Sequence, residues 1–156
     1  MRLNLAISAI VLVVLPASAQ SITQEDLDRC ASQGGLPYKT AIENCTHLIE
    51  GGKLSRTNLL EVYSNRGDAY ETIGQYDDEI ADDTAMLQID PESANAYNNR
   101  AWAYHLKGQD AKALLDAQKA VALDPEYGSA LESRAEIYEK LGQQDRLSLH
   151  AEASRH

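Results

Sequence analysis

The sequence predicts an all-α protein, a solenoid built from antiparallel helix pairs. Four positions recur every 34 residues: a tyrosine, an arginine, a second tyrosine and a glycine. In the first two units they are Tyr63, Arg66, Tyr70 and Gly74, then Tyr97, Arg100, Tyr104 and Gly108. In the third unit a leucine replaces the first tyrosine, and the four residues are Leu131, Arg134, Tyr138 and Gly142. The first two units also end alike, at Asp90-Pro91 and Asp124-Pro125. This period is typical of helix-turn-helix solenoids, which present surfaces and rarely perform chemistry.

Residues 1–19 have the layout of a secretory signal peptide. Arg2 precedes an apolar run over residues 3–15, and Ala17 and Ala19 form a small-residue cleavage site. The apolar run is shorter than the roughly 20 residues that span a bilayer, so cleavage after Ala19 is favoured over an uncleaved anchor. We expect an exported protein, periplasmic rather than fully secreted, with no membrane insertion after cleavage.

Charge and composition restrict the class of partner. The chain has 14 basic and 24 acidic residues and a net charge of -10, which argues against nucleic acid and anionic membranes because both require a basic surface. We expect one domain after the leader. It comprises an N-terminal helical hairpin over residues 20–55 and repeats over 56–156, at about 60–93, 94–127 and 128–156.

Cys30 and Cys45 are the only two cysteines. In an oxidising compartment they can form a disulfide, which would close a loop of about 15 residues and stabilise the fold by about 3 kcal/mol. Two buried thiols remain the alternative, because spacing alone does not test the geometry. The predicted disulfide would tie together the N-terminal hairpin, which we interpret as a degenerate capping repeat.

The middle unit shows the helical pattern most clearly. Tyr97, Ala101 and Tyr104 lie on one helical stripe, and Gly108 is expected to end that helix. A second apolar set marks the antiparallel partner helix: Ala113, Leu114, Ala117, Ala120 and Val121.

With Tyr97, Ala101, Tyr104, Ala113 and Pro125, this unit resembles the tetratricopeptide repeat. The resemblance covers about residues 60–156. It implies a right-handed superhelical solenoid whose concave surface binds an extended or helical peptide.

The first full unit departs from this family pattern in its second helix. Glu79, Asp83 and Met86 stand where the family prefers alanine, an aromatic residue and alanine. We therefore expect that helix to pack loosely or to carry an unusual exposed face. The acidic residues Asp77, Asp78, Glu79, Asp82 and Asp83 lack EF-hand spacing, so a solvated face is favoured over a metal site.

The third unit lacks the closing proline of the other two. We expect its second helix around residues 145–154, with an exposed edge near Leu141, Leu147 and Ala151. This edge suggests an alternative function, in which the protein forms a homodimer or docks to an envelope complex through its C-terminal helix.

The arginines of the repeat have a structural explanation. Arg66 and Arg100 are each followed 16 residues later by an aspartate, Asp82 and Asp116, on the partner helix of the same hairpin. We expect an ion pair within each hairpin rather than a catalytic arginine.

The first helices of the repeats supply the candidate binding surface. Its expected partner-binding residues are Asn65, Asp68, Glu71, Asn98, Asn99, Trp102, His105, Glu132 and Glu136. Trp102, the only tryptophan, is the expected apolar anchor, and packing between neighbouring repeats is the alternative. Some family members hold a peptide carboxylate with basic residues, but serines such as Ser129 and Ser133 occupy those positions here. A basic or neutral protein or peptide with an apolar anchor is therefore the predicted partner.

No enzymatic motif is present. The sequence has no G-x-S-x-G, no H-E-x-x-H and no phosphate-binding glycine loop, and its four histidines are scattered. We expect no catalytic residue, no metal and no cofactor. The predicted function is a protein-protein interaction module.

Overall fold

The computed structural model describes residues 22–31 and 35–153, with side chains described as far as Gly142. These residues form seven α-helices and no strand: α1 (Gln24–Cys30), α2 (Tyr38–Glu50), α3 (Arg56–Thr72), α4 (Tyr76–Ile89), α5 (Ala94–Leu106), α6 (Asp110–Leu123) and α7 (Gly128–Ala153). The predicted signal peptide lies outside the described residues. In the described part of the chain, no helix is both long and apolar enough to cross a membrane.

The helices form the predicted solenoid of antiparallel pairs. Each helix packs against the next along the chain, and α5 also contacts α7. Helices α5 and α7 therefore lie side by side, and Glu71 of α3 lines the same cavity as their residues. This arrangement brings the first helix of each repeat onto one surface.

Repeated capping signals set the helix boundaries. The hydroxyl oxygens of Ser55 and Ser93 accept hydrogen bonds from backbone amides three residues later and so begin α3 and α5. Gly74 and Gly108 follow the ends of these helices with φ of 74° and 71°. A residue with a β-carbon is strained in this left-handed conformation, so glycine permits the sharp turn into the next helix.

The N-terminal hairpin is tied by a disulfide. Cys30 of α1 and Cys45 of α2 are bonded to each other, as the sequence predicted. Both are fully buried, and they pack with Leu27, Leu48 and Val62 in one apolar cluster. Since Val62 belongs to α3, the cluster joins the hairpin to the first full repeat.

The predicted ion pairs within the hairpins are present. The guanidinium of Arg66 donates two hydrogen bonds to Asp82, at 2.8 and 2.6 Å. Arg100 donates two to Asp116, at 2.7 and 3.0 Å. All four side chains are largely buried, so each pair locks the two helices of its hairpin in a two-point geometry.

Each arginine also reaches the preceding unit. Nη1 of Arg66 donates to Thr46 of α2 at 2.8 Å, and Nη1 of Arg100 donates to Thr84 of α4 at 3.1 Å. The repeated arginine therefore connects three helices, which gives it a structural role in stacking one repeat on the next.

Of the two expectations for α4, the unusual exposed face is wrong. Glu79 and Asp83 are each only 2% exposed, and Met86 is 5% exposed. These side chains occupy the face of α4 that packs on α3 and α5, the same face that α6 fills with alanines. Repeat packing determines which side of α4 is buried, and polar residues on that side are buried with it.

The expected solvated acidic face is only half correct. Asp77 and Asp78 are exposed, whereas Glu79, Asp82 and Asp83 are buried. The exposed pair lies in the first turn of α4, where negative charge is favourable beside the helix N-terminus.

The expected second helix around residues 145–154 is also wrong. α7 runs without interruption from Gly128 to Ala153 and passes through Gly142, which does not adopt the left-handed conformation of Gly74 and Gly108. A glycine inside a helix costs only about 1 kcal/mol, and its neighbours here are good helix formers. The turns at Gly74 and Gly108 are instead fixed by packing of the helices that follow them.

The straight course of α7 changes the predicted C-terminal edge. Leu141 packs beside the cluster of Ala113 and Ile137 rather than lying free. Leu131 and Tyr138 are exposed, although the matching tyrosines of the earlier units are half-buried. The side chains of residues 147 and 151 lie outside the described part of the chain.

Candidate functional site

The concave surface holds a cavity of about 310 Å³ formed by α3, α5 and α7. One residue comes from α3, three from α5 and four from α7. The lining residues are Glu71, Asn98, Asn99, Trp102, Ser129, Glu132, Ser133 and Glu136. Because three successive repeats contribute, the cavity exists only when the repeats stack.

A second cavity of about 490 Å³ adjoins the first through Glu136. The end of α5 and the middle of α7 form its walls. Its lining residues are His105, Leu106, Gly108, Glu136, Glu139 and Lys140. The two cavities together make a continuous concave surface long enough for more than one side chain of a partner.

Trp102 is half-buried in the wall of the first cavity. Its ring lies 5.3 Å from the ring of His105, centroid to centroid, at an angle of 37°. His105 is itself held, because its Nδ1 lies 2.6 Å from Oδ1 of Asp110 and its Nε2 lies 3.9 Å from Oε1 of Glu136. The indole is therefore supported on one side and faces the cavity in part.

Asn98 lies one helical turn before Trp102 and is 7% exposed. Its Oδ1 is buried and has no hydrogen-bond partner among the described residues. A buried acceptor without a donor costs about 1–3 kcal/mol. Such a group in the lining of a cavity indicates a place where a donor from outside would be stabilising.

Negative charge dominates the first cavity. Glu71, Glu132 and Glu136 line it, and none of its lining residues is basic. Within the described part of the chain, no three potential metal ligands are grouped closely enough to hold a metal ion. The electrostatic properties of this cavity thus favour an organic cation over an anion.

Two more carboxyl groups are buried next to this surface. Burial, together with the nearby carboxylates of Glu71, Asp83 and Asp68, raises the pKa of Glu79 to about 9. Burial also raises the pKa of Asp83 to about 8. Oε2 of Glu79 and Oδ2 of Asp83 have no hydrogen-bond partner among the described residues. At neutral pH both groups are therefore mostly protonated.

Asp68 is exposed on α3, yet its pKa is also raised. Desolvation of its carboxyl group by the surrounding protein is the largest cause of the raised pKa, and the charge of Glu71 one turn away raises the pKa further. The α3 side of the concave surface therefore repels further negative charge.

The structure brings six of the predicted binding residues into the first cavity: Glu71, Asn98, Asn99, Trp102, Glu132 and Glu136. His105 lines the second cavity, and Asn65 and Asp68 line neither. Sequence reasoning missed the buried carboxyls of Glu79 and Asp83. A signal was present, because each stands 34 residues before an alanine of the next repeat.

Comparison with known proteins agrees with this fold. A family model described as tetratricopeptide repeat matches residues 94–127. Among solved structures, the Hsp90 co-chaperone Cns1 from Saccharomyces cerevisiae aligns with a TM-score of 0.71 and 21% identity over 84% of this chain and 43% of its own. The Sgt2 tetratricopeptide domain from Aspergillus fumigatus aligns with a TM-score of 0.67 and 19% identity over 80% and 83%.

A third structure similar to this chain includes a bound peptide. It is the second tetratricopeptide domain of human RPAP3 in complex with the HSP70 peptide SGPTIEEVD, with a TM-score of 0.58 and 25% identity over 65% of this chain and 81% of its own. No curated protein sequence gives a significant match. The 34-residue period, the stacked hairpins and the match over the middle unit lead to one conclusion: residues 94–127 form a tetratricopeptide repeat, and the chain has the fold of the tetratricopeptide-repeat domains to which it is similar.

Proposed function

We propose that the protein is an interaction module that binds a basic protein or peptide in its concave surface. The observation that carries this proposal is the cavity in which Trp102 lies between carboxylates of α3 and α7. Half-buried aromatic side chains in pockets are frequent sources of binding energy, and surrounding charges select the partner. The peptide complex of the related RPAP3 domain supports the general mode of binding.

The charge of the partner differs in this proposal from that of the RPAP3 peptide. The sequence SGPTIEEVD ends in acidic residues. The cavity here has Glu71, Glu132 and Glu136 in its lining and no basic residue, so an acidic peptide end would be repelled. A positively charged segment would be attracted, and its binding would weaken as salt screens the charges.

Location in the periplasm is part of the proposal. The layout of residues 1–19 supports export. The buried Cys30–Cys45 disulfide supports an oxidising compartment, since structural disulfides are rare in the cytosol. Cell fractionation with an antibody to the protein tests this part independently of binding.

Affinity capture from envelope extract tests the binding proposal. The bait proteins would be wild type, Trp102→Ala, and Glu92→Gln as a control in an exposed turn outside the cavity. We expect a partner that wild type and Glu92→Gln retain at low salt, that Trp102→Ala loses and that high salt releases. Equal retention by all three proteins would contradict the proposal.

An assembly role is the second candidate, favoured by the exposed apolar side chains of α7. Leu131 is 36% exposed and Tyr138 is 50% exposed, and they lie on the same helical face. In the earlier repeats a second helix covers the matching positions. A second copy of the chain or an envelope complex would cover them here.

Sedimentation velocity over a range of concentrations distinguishes this candidate. We expect a concentration-dependent dimer that Leu131→Asp abolishes if α7 is the contact surface. Leu115→Asp is the matched control, because Leu115 is an exposed leucine on α6. A monomer at all micromolar concentrations would exclude the dimer.

A further inference from the structure

The cavity beside Trp102 presents acceptors and negative charge but no cation. Glu71 approaches from α3, and Glu132 and Glu136 approach from α7. No lysine, arginine or histidine is among the residues that line it. A bound group would therefore meet three carboxylates that no basic side chain in the lining neutralises.

Asn98 gives an independent indication of a ligand with donors. It lines the cavity, is only 7% exposed, and its Oδ1 is unpartnered within the described residues. Native proteins usually pair buried acceptors. A ligand N–H near Asn98 would supply the donor that its side-chain oxygen lacks.

Trp102 adds a flat aromatic surface. His105 contacts its ring at 5.3 Å, and the contact between His105 and Asp110 holds that neighbour in place. Indole is the best aromatic partner for cations, which are attracted to the face of its ring. The cavity therefore combines an aromatic wall with carboxylates and a buried acceptor.

We propose that this cavity holds an arginine side chain of the partner. A guanidinium is planar, stacks on aromatic faces and has five N–H donors, which can pair with carboxylates two at a time. The volume of about 310 Å³ is at the lower end for ligand pockets and suits one long side chain. The inference rests on the proposed function. It replaces the apolar side chain expected from the partner at Trp102 with a cationic side chain.

Matched peptides test the choice of side chain. The probe is a heptapeptide with blocked ends, Gly-Ser-Leu-Arg-Leu-Ser-Gly, beside two peptides in which citrulline or norleucine replaces arginine. Citrulline keeps the shape of arginine without its charge, and norleucine supplies an apolar chain. Binding to the purified protein would be followed by calorimetry and by the fluorescence of Trp102, the single tryptophan. We expect the arginine peptide to bind about tenfold or more tightly than either analogue.

Variants of the protein locate the effect. Glu71→Gln, Glu132→Gln and Asn98→Ala should each reduce the preference for arginine over citrulline. Glu92→Gln removes one charge outside the cavity and should leave that preference unchanged, which controls for the net charge of the protein. Trp102→Leu keeps an apolar wall but removes the ring, so it should weaken the arginine peptide more than the norleucine peptide.

Two outcomes overturn the inference. One is equal binding of the arginine and citrulline peptides, and the other is tightest binding of norleucine. In either case the proposed groove binding still stands if Trp102→Ala loses the partner captured from envelope extract. If capture is unaffected by Trp102→Ala, the proposed function fails, whichever peptide binds best.

Discussion

The hairpins α3–α4 and α5–α6 follow one backbone plan but have different interiors. Both begin with a serine cap, turn at a glycine and join their helices through a two-point arginine-aspartate pair. At three buried positions α6 has alanine where α4 has two carboxyls and a methionine: Ala113, Ala117 and Ala120 against Glu79, Asp83 and Met86.

This difference distinguishes the features that both hairpins share from the interior residues that can vary within the same fold. Caps, turns and the arginine pairs are common to both hairpins, which follow the same path although their interiors differ. The interior of α3–α4 can then contain protonated carboxyls, even though unpartnered polar groups in a core are costly. Because Glu71 belongs to both the first cavity and the surroundings of Glu79, the buried carboxyls lie next to the binding surface.

The largest expected effect on the free energy of unfolding concerns the arginine-aspartate pair that both hairpins share. Arg66→Ala leaves Asp82 buried without its partner, and Arg100→Ala does the same to Asp116. Each change should lower the free energy of unfolding by about 3–5 kcal/mol, measured by urea denaturation. Arg29→Ala, which breaks only an exposed pair on α1, should cost less than about 1 kcal/mol. Similar losses in all three variants would show that the arginine pairs do not fix the hairpins.

The next largest effect on the free energy of unfolding concerns the buried positions at which α4 and α6 differ. Glu79→Ala with Asp83→Ala gives α4 the alanines that α6 carries at these positions. Removing two buried, unpartnered carboxyls should raise the free energy of unfolding by about 1–3 kcal/mol at pH 7. Glu43→Ala with Glu61→Ala, at exposed positions in α2 and α3, is the control and should change little. A destabilised double variant would mean that the carboxyls contribute packing that alanine cannot replace.

The pH dependence of unfolding should follow the same two residues. Their pKa values are raised in the folded protein from 4.5 and 3.8 to about 9 and about 8. The folded state therefore retains protons that the unfolded state has released. The resulting stability is complete below about pH 4 and is lost as the pH rises towards 8 and 9. Relative to wild type, the double variant should be less sensitive to pH in this window. Identical pH profiles would contradict the assignment.

The smallest effect tests whether Gly67 is needed to make room for Glu79. Gly67 is buried in α3 where α5 has Ala101. A β-carbon at Gly67 would meet Cγ of Glu79 at 4.0 Å, an ordinary contact distance. Gly67→Ala should therefore raise the free energy of unfolding by about 1 kcal/mol, because alanine is the better helix former. A loss of stability would instead indicate that the two helices cannot accommodate the methyl group.

The sequence predicted the features that depend on spacing. The 34-residue period, the pairing of Arg66 and Arg100 with aspartates 16 residues later, and the Cys30–Cys45 disulfide all follow from which residues share a helical face or a hairpin. The repeat register also predicts six of the eight residues that line the first cavity.

Features that depend on tertiary competition were not predictable. Glu79 and Asp83 are polar by composition, but repeat packing buries their side of α4. Gly142 occupies the same position in its repeat as the turn glycines. The helix nevertheless continues through it, because no following helix in the described part of the chain packs back to enforce a turn. The burial of Asn98 beside the cavity depends on the distance between α5 and its neighbours, which spacing along the chain does not specify.

The preference of the concave surface for basic partners can be tested directly by a pair of titrations followed by the fluorescence of Trp102. One ligand is the acidic peptide SGPTIEEVD that the RPAP3 domain binds. The other is the same peptide with its acidic residues replaced by arginine and its C-terminus amidated. We expect a saturable, salt-sensitive change with the basic peptide and none with the acidic one. Binding of the acidic peptide as tightly as the basic one would contradict the assignment of this surface as a site for basic partners.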